Sequence, residues 1–157
     1  MKPVSNSSWP FLQRLRSEPA NNRFLDRKPF STEMEAIQFT QNLVDGMNSG
    51  KHFFWIIEDK VNDKPMGSLC VWNISPDRTS AEIGYELLPE FRGKGIMTRS
   101  LDALVNYVKG YLPIKLLKAY THQHNTASLN VLERLGFEFQ GVASPDEPDF
   151  VYYQLSL

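Results

Sequence analysis

The period of apolar and polar positions changes several times along the chain, and each change marks an element. Residues 82–87 alternate. Glu82, Gly84 and Glu86 fall on one face of a strand, and Ile83, Tyr85 and Leu87 on the other. From Gly95 the spacing becomes helical. Met97, Leu101, Leu104, Val105 and Val108 recur at steps of three and four, which predicts an amphipathic helix to about Tyr111, with Pro113 marking its exit. Between strand and helix lies Arg92-Gly93-Lys94-Gly95-Ile96-Met97. Two glycines there let the backbone turn tightly and approach a ligand closely. The unbonded N–H groups of the new helix, with its dipole, then make a candidate anion site.

The remaining pattern gives the other elements. Residues 1–8 are polar and make a poor strand. Residues 9–18 predict a short helix that buries Phe11, Leu12 and Leu15 and stops before Pro19. Residues 20–30 read as a loop with Phe24 and Leu25 as anchors. Thr32 and Glu35 have capping-box spacing, opening a helix that buries Ala36, Ile37, Leu43, Val44 and Met47 and ends at Gly50. Residues 53–58 and 66–73 read as an antiparallel strand pair joined by a turn at 61–65, and 75–78 is a second turn. Residues 115–121 form the next strand. Residues 125–135 form a helix stopped by Gly136, and 137–142 and 150–155 are further strands. Pro145 and Pro148 place the intervening segment in a loop. The crossover from strand to helix to strand makes the strands on either side of the long helix parallel. The whole is a mixed α/β sheet with flanking helices.

Composition narrows the function. A chain of 157 residues with 41% hydrophobic content is expected to be a single globular domain over residues 1–157. A net charge of −1, from 17 basic and 18 acidic residues, argues against a general nucleic-acid or membrane-surface binder. Cys70 is the one cysteine, in the apolar setting Ser68-Leu69-Cys70-Val71-Trp72, and reads as a strand thiol rather than a nucleophile. His122 and His124 sit two apart without an evident third ligand, so no metal is expected. No segment resembles a signal peptide or a membrane span, and a cytoplasmic location is the default expectation.

The glycine loop does not fit the common nucleotide patterns. A P-loop needs Ser or Thr after Gly-Lys, and Gly95 stands there; a dinucleotide fingerprint needs a third glycine, and Thr98 stands there. The loop resembles the acetyl-CoA loop of the GNAT superfamily of N-acyltransferases, Arg/Gln-x-x-Gly-x-Gly/Ala. Arg92, Gly93, Lys94, Gly95 and Ile96 fit, and Met97 departs from the final small residue. A second stretch, Asn125-Thr126-Ala127-Ser128 through Glu133-Arg134-Leu135-Gly136-Phe137, is by its own physics a capped amphipathic helix with a glycine stop. It also resembles the family pattern Asn-x-x-Ala/Ser … Glu-x-x-Gly-Phe, in which the asparagine lies beside the pantetheine arm. The closest resemblance is to the branch that acetylates ribosomal-protein N-termini.

The resemblance implies a GNAT-like fold, with a mostly antiparallel twisted sheet, and transfer of acetyl from acetyl-CoA to a primary amine of a protein N-terminus or a small molecule. Its cofactor-binding set would be Leu87, Leu88, Arg92, Gly93, Lys94, Gly95, Ile96, Met97, Asn125 and Ser128. A strand N–H near Leu87 or Leu88 would polarise the thioester carbonyl, and Pro89 fits a strand that stops pairing there. Glu82 stands where the family carries its strand glutamate and is the first choice of base. Glu86 shares its face and is the second; for either, the plain alternative is a solvated face residue or one paired with a lysine. Many members carry an acid tyrosine seven residues after the asparagine; Leu132 stands here, and Ser128 is the substitute the branch implies. One of Tyr152 and Tyr153 is expected in the core and the other at the active site. Asp146, Glu147 and Asp149 can attract a cationic amine. The rival reading is a non-catalytic acyl-CoA-binding or sensing domain.

Overall fold

A computed structural model describes residues 1–25 and 27–157. The elements run β1 (Lys2–Pro3), α1 (Trp9–Ser17), α2 (Pro19–Asn22), α3 (Glu33–Asn48), β2 (Phe53–Glu58), β3 (Pro65–Trp72), β4 (Ser80–Leu87), α4 (Ile96–Tyr111), β5 (Leu116–His122), α5 (Thr126–Arg134), β6 (Glu138–Ser144) and β7 (Glu147–Ser156). Among the described residues the strands form one seven-stranded sheet in the order β1-β2-β3-β4-β5-β7-β6. The β4–β5 pair is parallel, as the crossover through α4 requires. The β1–β2, β5–β7 and β6–β7 pairs are antiparallel.

Two compact units make up the chain. The first is Met1–Cys70 with Tyr85–Lys94, and the second is Val71–Gly84 with Gly95–Leu157. In the first, Val4, Leu12 and Ile56 form a buried cluster, backed by the partly buried Phe11, Phe39, Leu43, Val44, Met47 and Phe54. In the second, α4 buries Met97, Leu101, Leu104, Val105 and Val108, the whole of its apolar stripe. Strand β5 buries Leu117, Ala119 and Thr121 and turns Lys118, Tyr120 and His122 the other way.

The polar start carries a strand of only two residues, as short as its sequence suggests, with Lys2 opposite Ile56 and Pro3 opposite Trp55. Several expectations need correction. Part of the 20–30 loop is the single-turn helix α2; Leu25 is 40% exposed and anchors nothing, and Asp26 lies outside the described residues. Ile37 sits at the exposed border of α3. Thr32 caps α3 by accepting from the Glu35 N–H at 3.2 Å, but Glu35 accepts from the Ser31 N–H at 2.7 Å, one residue before the box position. The β6–β7 connection is a tight turn closed by the pairing of Ser144 with Glu147. Pro148 therefore lies inside β7, next to a register shift between Val142 and Ser144 that spares it a ladder bond.

Within the first unit, Gly67 lies where two strand backbones come closest. A Cβ there would stand 2.3 Å from the Glu86 carbonyl oxygen and 2.8 Å from Leu87 Cδ1. Backbone cannot give way as a flexible side chain does. Gly67→Ala is therefore expected to destabilise the fold by about 1–3 kcal/mol, and urea denaturation of the variant beside the parent measures it.

Candidate active site

The glycine loop has the conformation its sequence demands. Gly93 and Gly95 both have positive φ, 73° and 68°. A side chain at either would be in the left-handed region, at a cost of roughly 1–2 kcal/mol. Gly95 caps α4, whose first turn opens at Ile96. Met97 is buried at 8% exposure, so its bulk lies in the core and leaves the loop face to backbone amides. The departure from a small residue at this position thus puts bulk in the core rather than on the surface.

The two cations of the loop are used by the protein itself. Arg92 donates through Nε to the Leu87 carbonyl at 3.2 Å and through Nη2 to Asn21 Oδ1. Lys94 Nζ donates to the Glu90 carbonyl at 2.8 Å and lies 5.8 Å from the centre of the Phe91 ring. The Leu88 N–H donates to the Met66 carbonyl at 2.9 Å, so it is not available to a thioester. Leu87 is the remaining candidate, and β4 runs on to it beyond the short stretch, Ser80–Glu82, over which it pairs with β5.

Glu82 and Glu86 have different surroundings. Glu86, in the first unit, accepts two bonds from Arg27, at 2.6 and 2.5 Å, and one from Asn21 Nδ2 at 3.2 Å. The Arg27 and Glu86 side chains are only 16% and 18% exposed, so the pair is a mostly desolvated fork rather than a surface contact. Both carboxylate oxygens of Glu86 are thus occupied by donors of the protein itself. Glu82, in the second unit, accepts one bond on Oε1 from Asn73 Nδ2 at 2.5 Å and is half-buried.

The second unit also places aromatic groups about Glu82. Lys118 stands opposite it in register, and Tyr120 follows on the same face of β5. Tyr120 stacks on Tyr152 with ring centres 5.6 Å apart. Burial, then the Glu82 carboxylate, then Tyr152 push the Tyr120 phenol up from its ordinary pKa. Tyr153 points the other way: it is 5% exposed, and its hydroxyl donates to Glu133 at 3.3 Å. Its phenol is likewise raised, by burial first and then by Glu133. His122 lies edge-on to Phe150 and 5.3 Å from the His124 ring. Among the described residues no three His, Cys, Asp or Glu side chains group as metal ligands do, and no helix is long and apolar enough to cross a membrane.

Asn125 caps α5, its side-chain oxygen accepting from the Ser128 N–H at 3.4 Å. Leu132 is fully buried, so the position that holds an acid in many relatives belongs to the core here. Asp149 accepts from Gln123 Nε2 at 2.7 Å and is engaged in holding the end of β5 to β7. Sequence reasoning missed Asn21, Arg27, Asn73 and Tyr120. The signals were present for two of them. Tyr120 is an outward position between buried Ala119 and Thr121, and Asn73, with φ 45°, is a residue type that tolerates the left-handed region at a strand end.

Comparison with known proteins accords with this arrangement. The family model described as an acetyltransferase (GNAT) domain matches residues 1–138. The chain is 28% identical over 127 residues to the uncharacterized N-acetyltransferase p20 of Bacillus licheniformis, covering 80% of this chain and 71% of that protein. It is 34% identical over 99 residues to the putative ribosomal N-acetyltransferase YdaF of Bacillus subtilis, covering 57% of this chain but only 54% of that protein. Its fold matches RimL, a ribosomal L7/L12 alpha-N-protein acetyltransferase in complex with coenzyme A, with a TM-score of 0.88 at 23% identity over 99% of this chain and 92% of that one. The chain belongs to the GNAT acetyltransferase family.

Proposed function

We propose that the protein transfers an acetyl group from acetyl-CoA to a primary amine, either a protein N-terminus or a small molecule, by direct attack of the amine on the thioester. The observation that carries this reading is the pair of left-handed glycines at the start of α4, with Met97 turned into the core. That geometry leaves backbone N–H groups and a helix dipole for a pyrophosphate, where side chains would otherwise stand. In the reaction the amine nitrogen forms the new bond to the acetyl carbon as the carbon–sulfur bond breaks, the amine loses a proton, and the thiolate leaves.

The chain's own groups divide this work. Glu82 takes the amine proton, directly or through water, with Asn73 fixing one carboxylate oxygen. The Leu87 N–H polarises the carbonyl. Asn125 orients the start of α5, and Ser128 on its first turn donates toward the leaving sulfur. Glu86 holds Arg27 and Asn21 in place rather than moving a proton. Of the two acceptor kinds, a protein N-terminus is the one favoured, after the alpha-N-protein acetyltransferase RimL whose fold the chain shares. A cytoplasmic location goes with such an acceptor.

Calorimetric titration with acetyl-CoA, with ATP as control, tests the cofactor reading. Saturable binding of acetyl-CoA alone is expected, and its absence from folded protein would sink both the loop assignment and the enzyme. Glu82→Gln is expected to lower turnover about 10²–10⁴-fold, the usual range for a lost general base, with acetyl-CoA affinity intact. Unchanged turnover removes Glu82 from the mechanism. The same variant carries a readout independent of activity. Loss of the carboxylate removes one of the causes that raise the Tyr120 phenol, so Tyr120 should ionise at lower pH than in the parent when tyrosinate formation is followed spectroscopically.

A further inference from the structure

In the first unit three guanidinium groups, Arg16, Arg27 and Arg92, gather about Glu86 and Asn21. Arg27 is matched by its fork to Glu86. Arg92 bonds to two neutral oxygens, the Leu87 carbonyl and Asn21 Oδ1. Arg16 has no such match. Its Nε is buried without a hydrogen-bond partner, the one such side-chain atom found among the described residues. Its guanidinium carbon lies 4.4 Å from the centre of the Phe39 ring and 5.2 Å from that of Phe30. Aromatic faces attract a cation and hold the group flat, but they accept none of its N–H bonds. The positive charge of Arg27 opposes that of Arg16, and Glu86 offsets only part of it.

Burial closes Nε itself to a ligand, but the Arg16 side chain as a whole is half-buried, and a carboxylate is the acceptor that the outer N–H edge of a planar guanidinium fits best. Glu86 immediately precedes Leu87, the amide assigned above to the thioester carbonyl. An anion held beside Glu86 in this unit would therefore sit on the acceptor rather than far from the chemistry. We propose that Arg16, positioned by Phe30 and Phe39 and supported by Arg27, is a subsite for a carboxylate carried by the acceptor close to its reactive amine. The proposal rests on the acetyltransferase reading and narrows it: the acceptor class is an amine with a neighbouring acid, such as an N-terminus followed by an acidic residue. A CoA phosphate shares the oxyanion chemistry, and the test separates the two.

The test titrates the full chain, with and without CoA, with two amidated tetrapeptides, Ser-Asp-Ala-Ala and Ser-Asn-Ala-Ala. The acidic peptide is expected to bind at least about tenfold more tightly. Arg16→Gln should bring the two within about twofold while leaving acetyl-CoA affinity unchanged. Arg16→Lys, which keeps the charge without the fork and serves if the glutamine variant does not fold, should lose most of the preference. Equal binding by the parent, or a preference that survives both substitutions, overturns the subsite. Weakened acetyl-CoA binding in either folded variant assigns Arg16 to a CoA phosphate and equally overturns it. CoA release with both peptides at equal efficiency would keep the acetyltransferase and remove the subsite. Selective binding with no turnover of any amine would do the reverse.

Discussion

The path from strand to helix passes through two left-handed residues within three positions, and much of the second unit follows from that constraint. Only glycine adopts φ near 70° freely, so Gly93 and Gly95 carry the chain through the turn, and Gly95 fixes where α4 begins. Each helical residue turns about 100° from the last. With Gly95 as the cap, Met97 points inward, and Leu101, Leu104, Val105 and Val108 follow it. Starting the helix one residue later would swing that stripe off the core. The exposed amide turn and the buried stripe are thus two results of one backbone decision.

The same parity argument shows how far strand geometry goes toward chemistry. Glu82 and Glu86 occupy equivalent faces of β4, yet their partners differ in kind. Asn73 gives Glu82 one neutral bond, whereas Arg27 and Asn21 occupy both oxygens of Glu86. A carboxylate already matched by a desolvated guanidinium contributes order to its surroundings. One with a single neutral donor keeps its second oxygen open to other partners. Alternation alone ranks the two equally, and only their partners separate them.

Elements with strong local period were legible in the sequence. The α4 stripe, the α5 cap at Asn125 and the glycine stop at Gly136 all rest on neighbours within a few turns, and the parallel β4–β5 pair follows from the helix that separates its strands. The two-residue β1 was not, because Lys2 and Pro3 carry no strand pattern and pair only through Ile56 and Trp55. Pro148 misled for a related reason: an irregularity in its own strand, where residues 148–150 face only residue 143 of β6, lets a proline lie in the sheet. In the site, the glycine loop and Glu82 were visible as local motifs. Arg27 was invisible because its partner lies 59 positions away, and the contact of Arg92 with Asn21 was invisible because it spans 71.

Neither compact unit is a contiguous piece of chain. The first closes only when Tyr85–Lys94 joins Met1–Cys70, and Val71–Gly84 belongs to the second. The Arg27–Glu86 fork is one of the ties that depend on this late segment. During synthesis the residues of the first unit are all present only once position 94 has been added, long after its helices α1–α3. No single cut through the backbone can release either unit whole.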